Sequence, residues 1–96
     1  MVTELNRKEL TEKMAENLPM LRTKLGFTQE DIAQRIGVSR HTVISMENKK
    51  RPMTWNTYLS LILFFSGNPD TKLLLKVMGV LTDELEDYLV PKKKEK

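Results

Sequence analysis

Apolar residues recur along this chain at steps of three and four, and there is almost no strand signal. Leu10, Met14, Leu18, Leu21 and Leu25 mark one face of a first helical segment. Pro19 interrupts it. A proline ring removes a backbone donor and clashes with the preceding turn, so the pattern predicts a kink or break. One helix would end near Glu16 and another begin at Pro19, where proline is welcome in a first turn. Leu25-Gly26 closes the segment, glycine being the usual left-handed residue past a helix end.

A second unit opens at Thr28-Gln29-Glu30-Asp31, a threonine cap followed by acidic residues that suit the N-terminal end of a helix. Ile32, Ala33 and Ile36 share its inner face, and Gly37 ends it after barely two turns. Ser39 then caps a further short helix from Arg40 to about Glu47. Short helix, tight glycine turn and second short helix make the helix-turn-helix outline, here from Thr28 to about Asn48. Ala33 falls where two such helices would cross closely. In the second helix Val43 and Met46 point inward. Arg40, His41, Thr42 and Ser45 are expected on the opposite side. That polar face has the groups needed to bond base edges, but an ordinary surface helix has one too.

Thr54 caps a very apolar helix from Trp55 to Phe65, with Tyr58, Leu59, Leu61, Ile62, Leu63, Phe64 and Phe65 around most of its circumference. A helix apolar on all sides needs cover on more than one side. Asn68-Pro69-Asp70 starts a fifth element, with an inward stripe expected at Leu74, Val77, Met78 and Leu81. Leu73, Leu75 and Val80 are left on other faces. Gly79 marks its end, and Thr82-Asp83-Glu84-Leu85 caps a short sixth helix ending near Leu89. The apolar surplus predicts a symmetric homodimer, with Phe64, Leu73, Leu75 and Val80 as interface candidates. The alternative is a monomer whose C-terminal helix folds back over the apolar one. The fold expected is an all-α compact bundle of about five to six helices.

Charge changes the picture only through its placement. The 96 residues carry a net charge of +3. Residues 1–66 hold ten Lys/Arg against seven Asp/Glu, and residues 67–96 balance at six against six. The basic groups thicken at Arg40 and at Lys49, Lys50 and Arg51, directly after the second motif helix. Such a cluster is compatible with nucleic acid, and equally with a solvated surface. No cysteine is present, so neither a disulfide framework nor a thiolate metal site is expected, which suits a reducing cytoplasm. The opening residues do not read as a secretory signal. The longest apolar run, Tyr58 to Phe65, is far short of the roughly 20 residues of a membrane span, and no membrane association is expected.

The stretch TQEDIAQRIGVSRHTVISMENKKRP resembles the phage-repressor and Cro-like (Xre-type) helix-turn-helix regulators. The resemblance covers about Leu18 to Phe65 and matches at Arg22, Gly26, Thr28-Gln29, Ala33, Gly37-Val38-Ser39, Val43, Ser45, Glu47-Asn48 and Pro52. It implies a lambda-repressor-like DNA-binding domain and a cytoplasmic, bacterial or phage-encoded regulator. It further implies that Ser39, Arg40, His41, Thr42 and Ser45 contact bases. Gln29, Asn48, Lys49, Lys50 and Arg51 would contact phosphates, Gln29 also bracing the recognition helix. Arg22 and Glu47 match a pair that often forms a structural ion bridge. Two positions depart from the pattern. Family members usually have glycine where Lys49 stands, so lysine either accepts a positive φ or reshapes the loop. Ile44 replaces a residue more often polar, and could meet a thymine methyl, a dimer partner or the neighbouring helix.

The organisation expected is an N-terminal helical extension (1–17), a helix-turn-helix core (18–66), C-terminal helices for dimerisation (67–90) and a disordered basic tail (91–96). Trp55 falls on a core position rather than a base-stacking one. An enzyme is not expected. The sole histidine, His41, has no triad-like spacing, and no glycine-rich phosphate loop follows a strand. No metal site or cofactor is expected. The function expected is a dimeric repressor reading a palindromic operator in double-stranded DNA. The competing reading is an antitoxin or adaptor that mainly binds an unknown partner protein.

Overall fold

A computed structural model describes residues 6–94 and contains six helices and, among those residues, no strand. They are α1 (Arg7–Lys24), α2 (Gln29–Ile36), α3 (Arg40–Glu47), α4 (Trp55–Ser66), α5 (Pro69–Val77) and α6 (Asp83–Leu89). The all-α bundle expected from periodicity is what the chain forms. Met1–Leu5 of the N-terminal extension and Glu95–Lys96 of the tail lie outside the described residues.

Each helix starts on a side-chain cap that satisfies an amide the helix itself leaves unpaired. Asn6, Thr28, Ser39, Thr54, Asn68 and Thr82 fill those positions in turn. Thr28 and Asp31 form a reciprocal box, with Asp31 N–H donating to Thr28 Oγ1 at 3.1 Å and Thr28 N–H donating to Asp31 Oδ2 at 2.9 Å. Those hydrogen bonds hold the Asp31 carboxyl below the usual carboxylate range. Gly37 ends α2 at φ 79°, a left-handed turn in which the N–H groups of Gly37 and Val38 both reach Ala33 O.

Pro19 does not break the first helix, which is a correction to the expected split near residue 17. Leu10, Met14, Leu18 and Leu21 are all buried along one continuous stripe. Burying each large side chain contributes about 1.5–3 kcal/mol, so four together outweigh the roughly 3 kcal/mol a mid-helix proline costs. Asn17 Nδ2 also donates to Lys13 O at 2.8 Å, adding a bond in the turn before the ring. Residues 17 and 18 therefore lie within one continuous helix.

α4 is the central strut. Its Tyr58, Leu61, Ile62 and Phe65 are buried, and α1, α2 and α5 pack around it. Trp55, half-buried, stacks on Tyr58 with ring centroids 4.8 Å apart, and the Arg7 guanidinium lies 4.6 Å from the Trp55 ring centroid. The tryptophan is thus spent on packing, as expected.

The register of α5 differs from the expected one. Leu75 and Val80 are fully buried and Leu81 nearly so, whereas Val77, expected inside, is 74% exposed. The reason is Thr71. Its hydroxyl donates to Phe65 O at 2.6 Å and is itself fully buried, which fixes the inward face at Thr71 and Leu75, four residues apart. Leu75 and Val80 are consequently core residues of this chain rather than exposed interface positions. Phe64 is half-buried, edge-on to Phe27 at 5.4 Å, which leaves Leu73, 63% exposed, as the one accessible member of the expected interface set.

The buried Tyr58 hydroxyl donates to Val80 O, tying α4 to the turn after α5. Burial raises its pKa well above the ordinary value. The folded protein therefore keeps a proton that the unfolded chain releases above about pH 10, so stability should be retained below that pH and fall as pH rises beyond it. Tyr58→Phe should remove that alkaline dependence. At neutral pH it should cost about 1–3 kcal/mol, because the Val80 carbonyl loses its buried donor. Urea unfolding of both proteins from neutral pH to about pH 11 measures the two effects.

Candidate functional site

The polar face of α3 and the loop behind it form one continuous surface. Ser39, Arg40 and His41 are exposed and Thr42 is half-exposed at the start of the helix. Ser45 is not among them. It is 8% exposed, because the loop folds back onto this turn, with the N–H groups of Lys50 and Arg51 both bonding Ser45 O at 2.8 and 3.3 Å. Its hydroxyl lies 3.5 Å from His41 Nε2. The expectation that Ser45 faces outward is corrected accordingly. Ile44 is half-buried.

Asn48, Lys49, Lys50 and Arg51 are exposed at the C-terminal end of α3. Lys49 adopts φ 61°, so lysine accepts the left-handed backbone that glycine would adopt more easily. The turn is held by Lys49 N–H to Met46 O at 3.1 Å and by the two bonds to Ser45 O. Its side chains do not simply radiate into solvent. Arg51 reaches back along the helix and donates from Nη1 to Thr42 Oγ1 at 3.0 Å, and Thr42 Oγ1 lies 2.9 Å from Ser39 Oγ. Loop and recognition-type helix therefore share a hydrogen-bonded chain, Ser39–Thr42–Arg51. Lys49 Nζ pairs with Glu16 Oε2 at 3.0 Å, across to α1. Neither link carried a signal in the sequence, because both depend on how the loop closes.

Beneath this surface lies a locked junction. Arg22 on α1 grips Glu47 at the end of α3 with both ends of its fork, Nε to Oε2 at 2.8 Å and Nη2 to Oε1 at 3.1 Å. Arg22 Nη1 also donates to Phe27 O at 3.3 Å. Gln29 on α2 donates from Nε2 to Glu47 Oε1 at 2.9 Å; a carboxylate only accepts, which fixes the orientation of the amide. The side chains of Arg22 and Glu47 are 16% and 6% exposed. Hydrogen bonding to Glu47 raises the Arg22 pKa against the opposing effect of burial. The pair matches the structural bridge that the resemblance implied, and Gln29 braces the helix in the same motion.

Chemically, the surface offers the guanidinium of Arg40, hydroxyls at Ser39 and Thr42, the His41 imidazole and three loop cations, at exposed or half-exposed positions. It is suited to an extended polyanion with readable edges rather than to enclosing a small substrate. Among the described residues, no group of His, Cys, Asp and Glu is placed to hold a metal ion, and no helix is long and apolar enough to cross a membrane.

Comparison with known proteins agrees with this geometry. A helix-turn-helix family model matches residues 20–54, the span from the end of α1 through the loop, and it accords with a lambda-repressor-like arrangement of the helices. A protein of Archaeoglobus fulgidus named as an uncharacterized HTH-type transcriptional regulator is 29% identical over 77 residues, covering 80% of this chain and 86% of its own. A second protein of that name and organism is 29% identical over 69 residues, covering 72% and 76%. No solved structure matches the chain.

The junction generates a stability prediction. Glu47→Ala should leave the Arg22 guanidinium without its partner in a mostly buried place and cost about 3 kcal/mol of folding stability. Thermal unfolding followed by circular dichroism would show it as a lowered midpoint in the absence of any ligand. An unchanged midpoint would mean that the three helices do not depend on this carboxylate.

Proposed function

With residues 20–54 forming a helix-turn-helix of the phage-repressor and Cro-like (Xre-type) family, we propose that the protein is a dimeric repressor reading a palindromic operator in double-stranded DNA. The family is a class of transcriptional regulators, and binding DNA is the coarse function that this chain shares with it. The observation that carries the finer reading is the exposed first turn of α3, joined through Thr42 to the basic loop. α3 enters the major groove by its N-terminal end, the end where helix-turn-helix proteins read bases. Arg40 bonds the O6 and N7 of a guanine, and Ser39, His41 and Thr42 complete the reading edge. Asn48, Lys49, Lys50 and Arg51 lie along the phosphate backbone and set the register without reading sequence.

The second copy is brought in by α5. Leu73 and Val77, four residues apart on one face, are 63% and 74% exposed, and Leu63 on α4 is 78% exposed. Apolar side chains in such number outside the core support pairing of this face with its equivalent about a two-fold axis. Two recognition helices then meet successive major grooves about one turn apart. Repression follows by occupancy, the dimer covering a promoter and excluding polymerase. A cytoplasmic site of action suits this role. The matched relatives are archaeal and lend no support to a bacterial or phage source.

Selection of bound sites from random duplexes, with the mass of the complex measured in solution, tests the reading. A palindrome bound by two chains is expected. Arg40→Ala should cost about 1–3 kcal/mol at that site and relax preference at one base position. Lys50→Ala should weaken all duplexes alike and flatten the salt dependence by about one unit. Val77→Asp should sediment as a monomer and bind the palindrome weakly. Absence of any sequence preference would instead favour the adaptor that chiefly binds a partner protein.

A further inference from the structure

Resting on the DNA-binding reading above, we propose that Glu16 on α1 acts as a built-in competitor for the DNA backbone, holding Lys49 against the protein and setting how tightly the loop binds phosphate. The three loop cations are not equivalent. Among the described residues Lys50 has no ion-pair or side-chain hydrogen-bond partner, Arg51 is tied to Thr42, and Lys49 is paired with Glu16 at 3.0 Å. Lys49 has the one positive φ outside glycine among the described residues, and its ammonium meets α1 at Glu16. Glu16 forms, with Lys49, Met46 and Arg51, part of the wall of a groove of about 580 Å³ between α1 and the loop.

The sign of the effect follows from charge alone. A phosphate that contacts Lys49 must take the ammonium from the Glu16 carboxylate 3.0 Å away, and loss of that pair opposes binding. The magnitude is bounded by exposure. The two side chains are 60% and 56% exposed, and pairs so exposed shift equilibria by about fivefold at most. Because the phosphate contact reads no base, the restraint applies equally to operator and to random DNA. Glu9 supplies the contrast. It lies on the same helix, two turns away or about 10 Å, and pairs with Lys13 at 3.4 Å instead of with the loop.

The test is fluorescence anisotropy of the full chain on the selected operator and on a random duplex, across about 0.05–0.3 M salt. Glu16→Gln should tighten binding to both duplexes about two- to fivefold at the lowest salt and steepen the salt slope by about 0.9. Glu9→Gln, which changes net charge identically, should leave both values where they are. On a Lys49→Gln background, Glu16→Gln should bring no gain. An equal gain from Glu9→Gln, a gain that survives loss of Lys49, or weaker binding by Glu16→Gln would each overturn the proposal. If no duplex binds the unaltered protein, the DNA-binding reading itself fails and takes this one with it.

Discussion

Three helices meet at one carboxylate. Glu47, at the end of α3, accepts two bonds from Arg22 on α1 and one from Gln29 on α2. Buried charges are costly unless fully paired, and here each acceptor oxygen has a charged or amide donor. The junction therefore does more than hold the helices together. A different angle between α1 and α3 would strand a charge in a largely buried place, and Gln29 ties α2 to the same carboxylate, so the junction favours one orientation for the exposed edge of α3. The exposed edge of α3 inherits its geometry from the contact beneath it.

The loop after α3 continues the same logic on the outside. Ser45 O accepts two backbone donors, which pulls the loop over the last turn and buries the Ser45 side chain. Arg51 is thereby delivered to the first turn of α3 and Lys49 to α1. A basic cluster that would otherwise be a set of independent solvated cations becomes a surface with internal restraints, two of its three cations already having partners before any polyanion arrives. Side chains held in this way have less conformational freedom left to lose.

In the C-terminal half the governing choice was which face of α5 to bury. Leu73, Leu74, Leu75, Val77 and Met78 provide apolar residues on nearly every side, so periodicity admits more than one inward stripe. Thr71 resolves it by bonding Phe65 O, and Tyr58 secures the following turn through Val80 O. Both are polar groups buried with their partners, which specify position as well as contributing stability. Val77 and Leu73 are what remains outside.

Local chemistry was enough to place the last five helices, the caps at Thr28, Ser39, Thr54 and Thr82 and the turn at Gly37, because capping and left-handed termination depend on residues within three or four positions of each other. The spacing of Gln29, Ala33, Gly37, Ser39 and Glu47 likewise made the motif legible in the sequence, whereas the Arg22–Glu47 bridge was implied only by the resemblance to phage-repressor and Cro-like regulators. Three things were decided only in three dimensions. Pro19 is tolerated because the stripe it interrupts is buried as a unit. Ser45 faces inward because a loop closes over it. Leu75 lies in the core and Val77 outside because one threonine hydroxyl, buried against α4, sets the phase of α5. Each turns on a competition between a local preference and the burial of groups distant in sequence, and the balance of such terms is visible only when the distant partner is in place.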